Sequence, residues 1–268
     1  MMLTQSHLRR ILAAAFCCLA PGLAWGQGFS ALVSPPRIED SAKSGETYRN
    51  VIEITNVSDT AAHYTVKTAD WTLQADDTVQ FSEALAPGSC RPWVGLEAGE
   101  LNMAANGKKR YRFEVAVPVD APSGECRFAI MIEGDPESVD GGVAIPVSGR
   151  IGVIVYLTLG DAAAQLAIVD QKLRTVDGRL LPVLSVRNNG NAHARLQGFV
   201  DGKDGSGKTF AFAPSTLPIL PGETREIPLT PQGDSEDAPA PTLTYPLQLK
   251  GRLDWGKQHL DIDTTLSR

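Results

Sequence analysis

The chain lacks most of what enzymes and nucleic-acid binders are built from. Only 6% of its 268 residues are aromatic, and it has four histidines and four cysteines, too few for a dense metal or redox framework. Beyond residue 26 the histidines are His63, His193 and His259, each isolated in sequence. There is no HExxH, no paired Cys/His spacing and no G-x-S-x-G elbow. Zinc sites need clustered ligands, so no metal and no cofactor is expected. The carboxylates scatter through turns, where aspartate accepts local backbone hydrogen bonds, and no two form an acid/base couple. An enzyme is therefore not expected. An excess of positive charge is also missing. With 25 basic against 31 acidic side chains the formal charge is −6, the wrong sign for a nucleic-acid partner. No stretch reaches the ~18 uninterrupted apolar residues of a membrane span, and helical periodicity is almost absent.

The first 26 residues read as an export signal. Arg9 and Arg10 make a short positive region, Ile11 to Ala20 an apolar core, and Ala24-Trp25-Gly26 a small-x-small cleavage site. The exported chain is expected to begin near Gln27 and to work outside the reducing cytosol. Losing two arginines takes its formal charge to −8. Cys17 and Cys18 leave with the signal, and Phe16 is too bulky for lipoprotein processing. The remaining Cys90 and Cys126 are expected to form a disulfide; a reactive or metal-binding pair would need CxxC spacing and a neighbouring histidine.

What is abundant is short alternating runs punctuated by Gly, Pro, Asn and Asp, the pattern of an all-β sandwich. Strands are expected at 31–34, 48–55, 64–69, 110–117, 126–133 and 143–159. After Gly160 a second series follows, at 165–169, 181–187, 195–200, 209–212, 224–229, 245–253 and 259–264. Val51-Ile-Glu-Ile-Thr-Asn56 has a counterpart in Val183-Leu-Ser-Val-Arg-Asn188, each followed by a turn and Ala-His. Leu101–Gly107 and Leu217–Gly222 both lead through an apolar turn into another strand. The expectation is two tandem sandwiches, 27–160 and 161–268, with residues 1–26 as signal. Asp234–Pro241, acidic and rich in proline and alanine, is expected to be a surface loop of the second.

Three segments invite a functional reading. Gly202–Thr209 fits GxxxxGK[ST], yet a phosphate loop needs a helix after it, and Thr209-Phe-Ala-Phe212 is strand-like; a hairpin loop is expected. Asn56-Val-Ser58 is a formal glycosylation sequon that fits a turn equally well. Ser34-Pro-Pro-Arg37 presents an arginine at the end of the first strand, either as a solvated edge residue or as an anchor for a carboxylate. The largest signal is Gly142 to Gly160, GVAIPVSGRIGVIVYLTLG. Val143, Ile145 and Val147 share one face by the two-residue period. Pro146 cannot donate to a ladder, so this half reads as an edge. Ile151, Val153, Val155, Leu157 and Leu159 continue as a buried strand. A long apolar edge is a hazard unless it is covered or exists to pair with a partner.

The order S-P-P-R, Y-R-N-V-I-E-I-T-N, L-N-M-A-A-N-G-K, C-R-F-A-I-M-I-E and long apolar strand resembles the PapD-like periplasmic pilus-assembly chaperones. The resemblance covers most of the first half and is weaker over the second. It implies two immunoglobulin-like β-sandwich domains and a non-enzymatic periplasmic chaperone. Such a chaperone lends its first-domain edge strand to an incomplete fimbrial subunit, a form of β-augmentation, and hands it to an outer-membrane usher. Carried over, the donor residues are Val143, Ile145 and Val147, with Ile151 continuing the strip. The subunit's terminal carboxylate would be held by Arg37. The family's second anchor, a lysine, falls near Gly152, and Arg150 is the nearest substitute. Cys90 and Cys126 are not part of the family pattern. An exported structural or adhesive two-domain binding protein without a chaperone cycle is the alternative.

Overall fold

The computed structural model describes residues 29–139, 145–233 and 241–268. The signal segment, Val143 and almost all of the acidic loop 234–241 lie outside the described residues. The fold is all-β, two sandwiches in tandem. The first is built from β1 Ala31–Ser34, β2 Arg37–Ala42, β3 Thr47–Asn56, β4 Ala62–Leu73, β5 Val79–Ser82, β6 Val94–Leu96, β7 Glu100–Met103, β8 Lys108–Ala116, β9 Gly124–Gly134, β10 Glu137–Val139, β11 Ile145–Val147 and β12 Arg150–Leu159. The second contains β13 Leu166–Val176, β14 Arg179–Asn188, β15 Val200–Lys203, β16 Thr209–Pro214, β17 Thr224–Pro231, β18 Leu247–Trp255 and β19 Gln258–Leu266.

In the first sandwich one sheet runs β1-β3-β8-β6 and the other β2-β12-β9-β4-β5, with β7 added to β4. The first strand thus serves both sheets. Proline has no N–H for a ladder, so Pro35-Pro36 ends β1, and the chain resumes as β2, parallel to β12 from Arg37 opposite Ile154 to Ala42 opposite Leu159. Between the sheets lies a core that includes Ile52, Ile54, Tyr111, Phe128, Ile130, Val153 and Val155. Cys90 and Cys126 are bonded as expected, joining the turn before β6 to the start of β9. In the second unit a single path β13-β14-β17-β16-β15-β18-β19 wraps around its own core of Leu184, Phe212, Ile227, Leu249 and Leu253.

The repeat seen in sequence is a repeated turn device. Asn56 is fully buried at the end of β3. Its Nδ2 donates to the carbonyls of Thr60 (2.7 Å) and Ala104 (3.0 Å), and its Oδ1 accepts from Ser58 N–H. Asn188, at the end of β14, does the same with Ala192 (2.8 Å), Ile219 (2.9 Å) and Gly190 N–H. Each side-chain amide ties its strand end to an apolar turn, which accounts for the matching asparagines. It also leaves Asn56 no free amide proton for a glycan.

Three expectations need correction. Residues 195–200 are not a strand: Gly198 has φ +99°, which breaks the extended run, and only isolated bridges remain at Ala194 and Gln197. The segment 143–159 is not continuous but divides at Ser148-Gly149 into β11 and β12. β2 was not expected at all. The Gly-rich segment is the β15–β16 hairpin, as expected. Ser206 and Lys208 N–H, which a phosphate loop would aim at its ligand, are bonded to the Asp204 carboxylate.

Candidate functional site

The apolar segment leaves the first sandwich as a hairpin. The β9–β12 ladder runs out at Gly134, whose N–H donates to Gly149 O at 3.1 Å. Beyond it β10 and β11 pair only with each other, Val139 opposite Ile145 and Glu137 opposite Val147. Among the described residues no strand lies on the other edge of β11. The outer edge of β12 is open too, from Arg150 to Val153, because β2 covers it only from Ile154 onward. An unpaired row of backbone N–H and C=O groups therefore continues from β11 into β12. Of the expected donor residues, Ile145 and Val147 are on β11. Ile151 is placed differently: it is half-buried against the first sandwich's own core.

The two arginines expected to share a carboxylate are not together. Arg37 stands opposite Ile154, and Arg150 stands four positions earlier on β12, about 13 Å away at strand rise. Gly152 is also unsuited to a basic side chain. A Cβ there would lie 2.6 Å from Phe81 Cζ and 3.1 Å from Met131 Sδ, so the position is roofed by β5.

What surrounds Arg37 instead is a cleft between the two sandwiches, with a volume of about 560 Å³. Arg37 and Glu39 share one face of β2, and Arg37 Nε lies 2.6 Å from Glu39 Oε1. Two side-chain nitrogens from the second sandwich reach the same oxygen, Arg195 Nε at 3.3 Å and His193 Nε2 at 3.5 Å. Burial alone would raise the Glu39 carboxyl, but the charges of His193, Arg37 and Arg195 outweigh it and hold the group below its ordinary range. Tyr156 of β12 forms the floor. His193 stacks on its ring at 3.8 Å between centroids, and Arg195 donates to its hydroxyl at 3.2 Å. Burial, partly offset by Arg195, pushes the Tyr156 hydroxyl up to about 12, so it stays protonated. The cleft can therefore hold an anionic group between guanidinium donors, and Glu39 now fills that role.

The joint beneath the cleft is closely held. The Glu125 carboxylate accepts from both the backbone N–H (3.0 Å) and Nδ1 of His193. Asn191 Nδ2 donates to Ser123 O at 3.1 Å. On the far side Arg225, 5% exposed, pairs with Asp77 in the β4–β5 turn at 2.8 Å and with Glu223. Between these clamps Leu220 packs on a cluster of Trp71, Met131 and Tyr156. Sequence reading found Arg37 through its Pro-Pro neighbour but missed Glu39, Glu125, His193 and Arg195. His193 looked like a structural repeat of His63, which in fact pairs with the exposed Asp135 at 2.9 Å. Among the described residues no group of acidic, His or Cys side chains could hold a metal, and no helix is long and apolar enough to cross a membrane.

No protein-family model matches the sequence, and no curated protein sequence matches it. The chain is similar to several solved structures. The YadV chaperone is 10% identical with a TM-score of 0.46, over 88% of this chain and 100% of that one. A chaperone–tip adhesion subunit complex, CsuC–CsuE of the archaic Csu pili of Acinetobacter baumannii, gives 14% identity and a TM-score of 0.45 over 89% and 100%. The E. coli chaperone DraB gives 15% and 0.43 over 88% and 97%.

Proposed function

We propose that this chain is a non-enzymatic periplasmic chaperone that captures an incomplete fimbrial subunit by lending it the β11 edge, and passes it to an outer-membrane usher. In this reading residues 1–26 are the export signal and 27–160 and 161–268 the two working units. One observation carries the reading: the open strand edge that runs from β11 into the first residues of β12, in the segment whose sequence alternates apolar residues. An unpaired apolar edge of this kind is selected against unless it serves association. Val143, Ile145 and Val147 would fill the partner's groove. Arg37 would meet its terminal carboxylate, with Arg195 of the second sandwich rather than Arg150 as the second cation. Burying one such aliphatic side chain contributes about 1.5–3 kcal/mol.

Ile145→Asp tests the reading. Co-expressed with a fimbrial subunit, the variant should retain on the order of 10- to 150-fold less of it, with an unchanged melting temperature. Normal capture by Ile145→Asp would rule out strand donation. The covered Gly152 and the engagement of Arg37 by Glu39 favour a second reading, an exported adhesive or structural module. That reading gains if no subunit co-purifies with the wild-type chain from the periplasm.

A further inference from the structure

The hairpin leaves the first sandwich at two glycines, and both face the same residue. A Cβ built on Gly149 would lie 2.0 Å from Phe29 Cβ and 2.2 Å from Phe29 Cγ. One built on Gly134 would lie 2.8 Å from Phe29 Cδ2. Gly134 and Gly149 face each other through the last hydrogen bond of the ladder. The half-buried Phe29 ring thus sits across the point where β9 ends and β12 begins. It meets Tyr64 edge-on at 5.9 Å between centroids and packs on the first core. The segment is held just behind it, where Val57 N–H donates to Ser30 O at 2.9 Å. Gly149 stands two residues before Ile151 and has no side chain of its own.

We infer that Phe29 is a positioning residue for the hairpin: its ring takes the place of the side chain absent at Gly149 and fixes where β10 and β11 leave the sandwich. The apolar packing of the first core, which includes Ile151, is then extended to position 149 by a side chain from a segment about 120 residues away in sequence. Any Cβ at 149 would expel the ring, so the two positions are coupled. The effect on partner capture rests on the strand-donation reading; the positional role does not.

Amide hydrogen exchange on the full chain tests this. Phe29→Gly should speed exchange of the Gly134 amide by about tenfold or more, through local opening, while the amides of Phe128 and Val155 keep their protection. Phe29→Leu, which keeps apolar bulk, should stay near wild type. Gly149→Val alone should expose the same amides by expelling the ring. In the Phe29→Gly background Gly149→Val should restore protection, because the valine refills the gap from the strand itself. Unchanged exchange at Gly134 in Phe29→Gly overturns the inference. So does a uniform rise over the whole sandwich, or a double variant no better protected than Phe29→Gly. In co-expression Phe29→Gly should lower subunit capture and the double variant recover it. If the hairpin amides respond as expected but the wild-type chain captures no subunit, the positional role stands and strand donation falls.

Discussion

The joint between the sandwiches offers the most demanding test, because it rests on a nearly buried contact between a histidine ring and a carboxylate. The Glu125 side chain is 1% exposed and that of His193 9% exposed. One Glu125 oxygen is served by the backbone and ring of His193, whereas the other has no hydrogen bond and only Arg127 Nε nearby, at 3.7 Å. His193→Phe keeps a flat ring on Tyr156 but removes the ring nitrogen that meets Glu125. It leaves a carboxylate with a single backbone partner in a nearly dry site, and removing one member of a buried pair typically costs about 3–5 kcal/mol. Replacing both members by apolar groups of similar volume is often neutral, so His193→Phe/Glu125→Met should return to within about 1 kcal/mol of wild type. Denaturant unfolding supplies the assay. Wild type should unfold with the sandwiches coupled, and His193→Phe should shift the midpoint and separate the two transitions. Strictly additive single-variant costs, or a His193→Phe cost below about 1 kcal/mol, would refute the claim that this pair sets the joint.

Two further outcomes follow from the same geometry. Cys90 and Cys126 close a loop at a sequence separation of 36, for which chain entropy gives roughly 4 kcal/mol; Cys90→Ser/Cys126→Ser should lose up to that amount in urea unfolding, and no loss would mean the loop is held by packing alone. Glu39 has its folded value depressed below the ordinary 4.5, so its contribution is present above pH 4.5 and is lost as pH falls through the lower folded value. Unfolding midpoints should therefore drop over that acid range in wild type and drop less in Glu39→Gln, and equal slopes would remove Glu39 from the joint.

The parts of the fold legible in sequence were those where burial follows the local period. β3 and β8 follow that period and are found where expected, as is β9, an apolar run buried on both faces from Phe128 to Ile132. β2 was invisible because Arg-Ile-Glu-Asp-Ser-Ala buries only Ile38 and Ala42. Its strand character comes from parallel pairing with a segment more than a hundred residues away. Residues 195–200 misled in the opposite sense, offering alternation that Gly198 prevents from closing into a ladder. The same division holds at the site. Arg37 and the apolar edge are local signals. The clamp on Glu39 joins residues 154 and 156 positions apart in sequence, and no spacing rule reports a contact made only when two sandwiches meet.

The open edge and the cleft are parts of one geometry. β2 begins at Arg37 opposite Ile154, and the β12 edge is free only before that point. A partner strand paired along β11 and β12 would therefore have to stop at Val153, four residues from Gly149, or about 13 Å. At that stop the first side chain it meets from β2 is Arg37, with Arg195 held near by the joint. In the strand-donation reading the length of free edge would deliver a chain end to the cleft at Arg37, provided the hairpin base and the joint hold still. Phe29 fixes the first and the Glu125–His193 pair the second. Loss of either should weaken capture without touching a donor side chain. A strand edge that served only for chance adhesion would have no need of a fixed stop beside paired guanidinium groups.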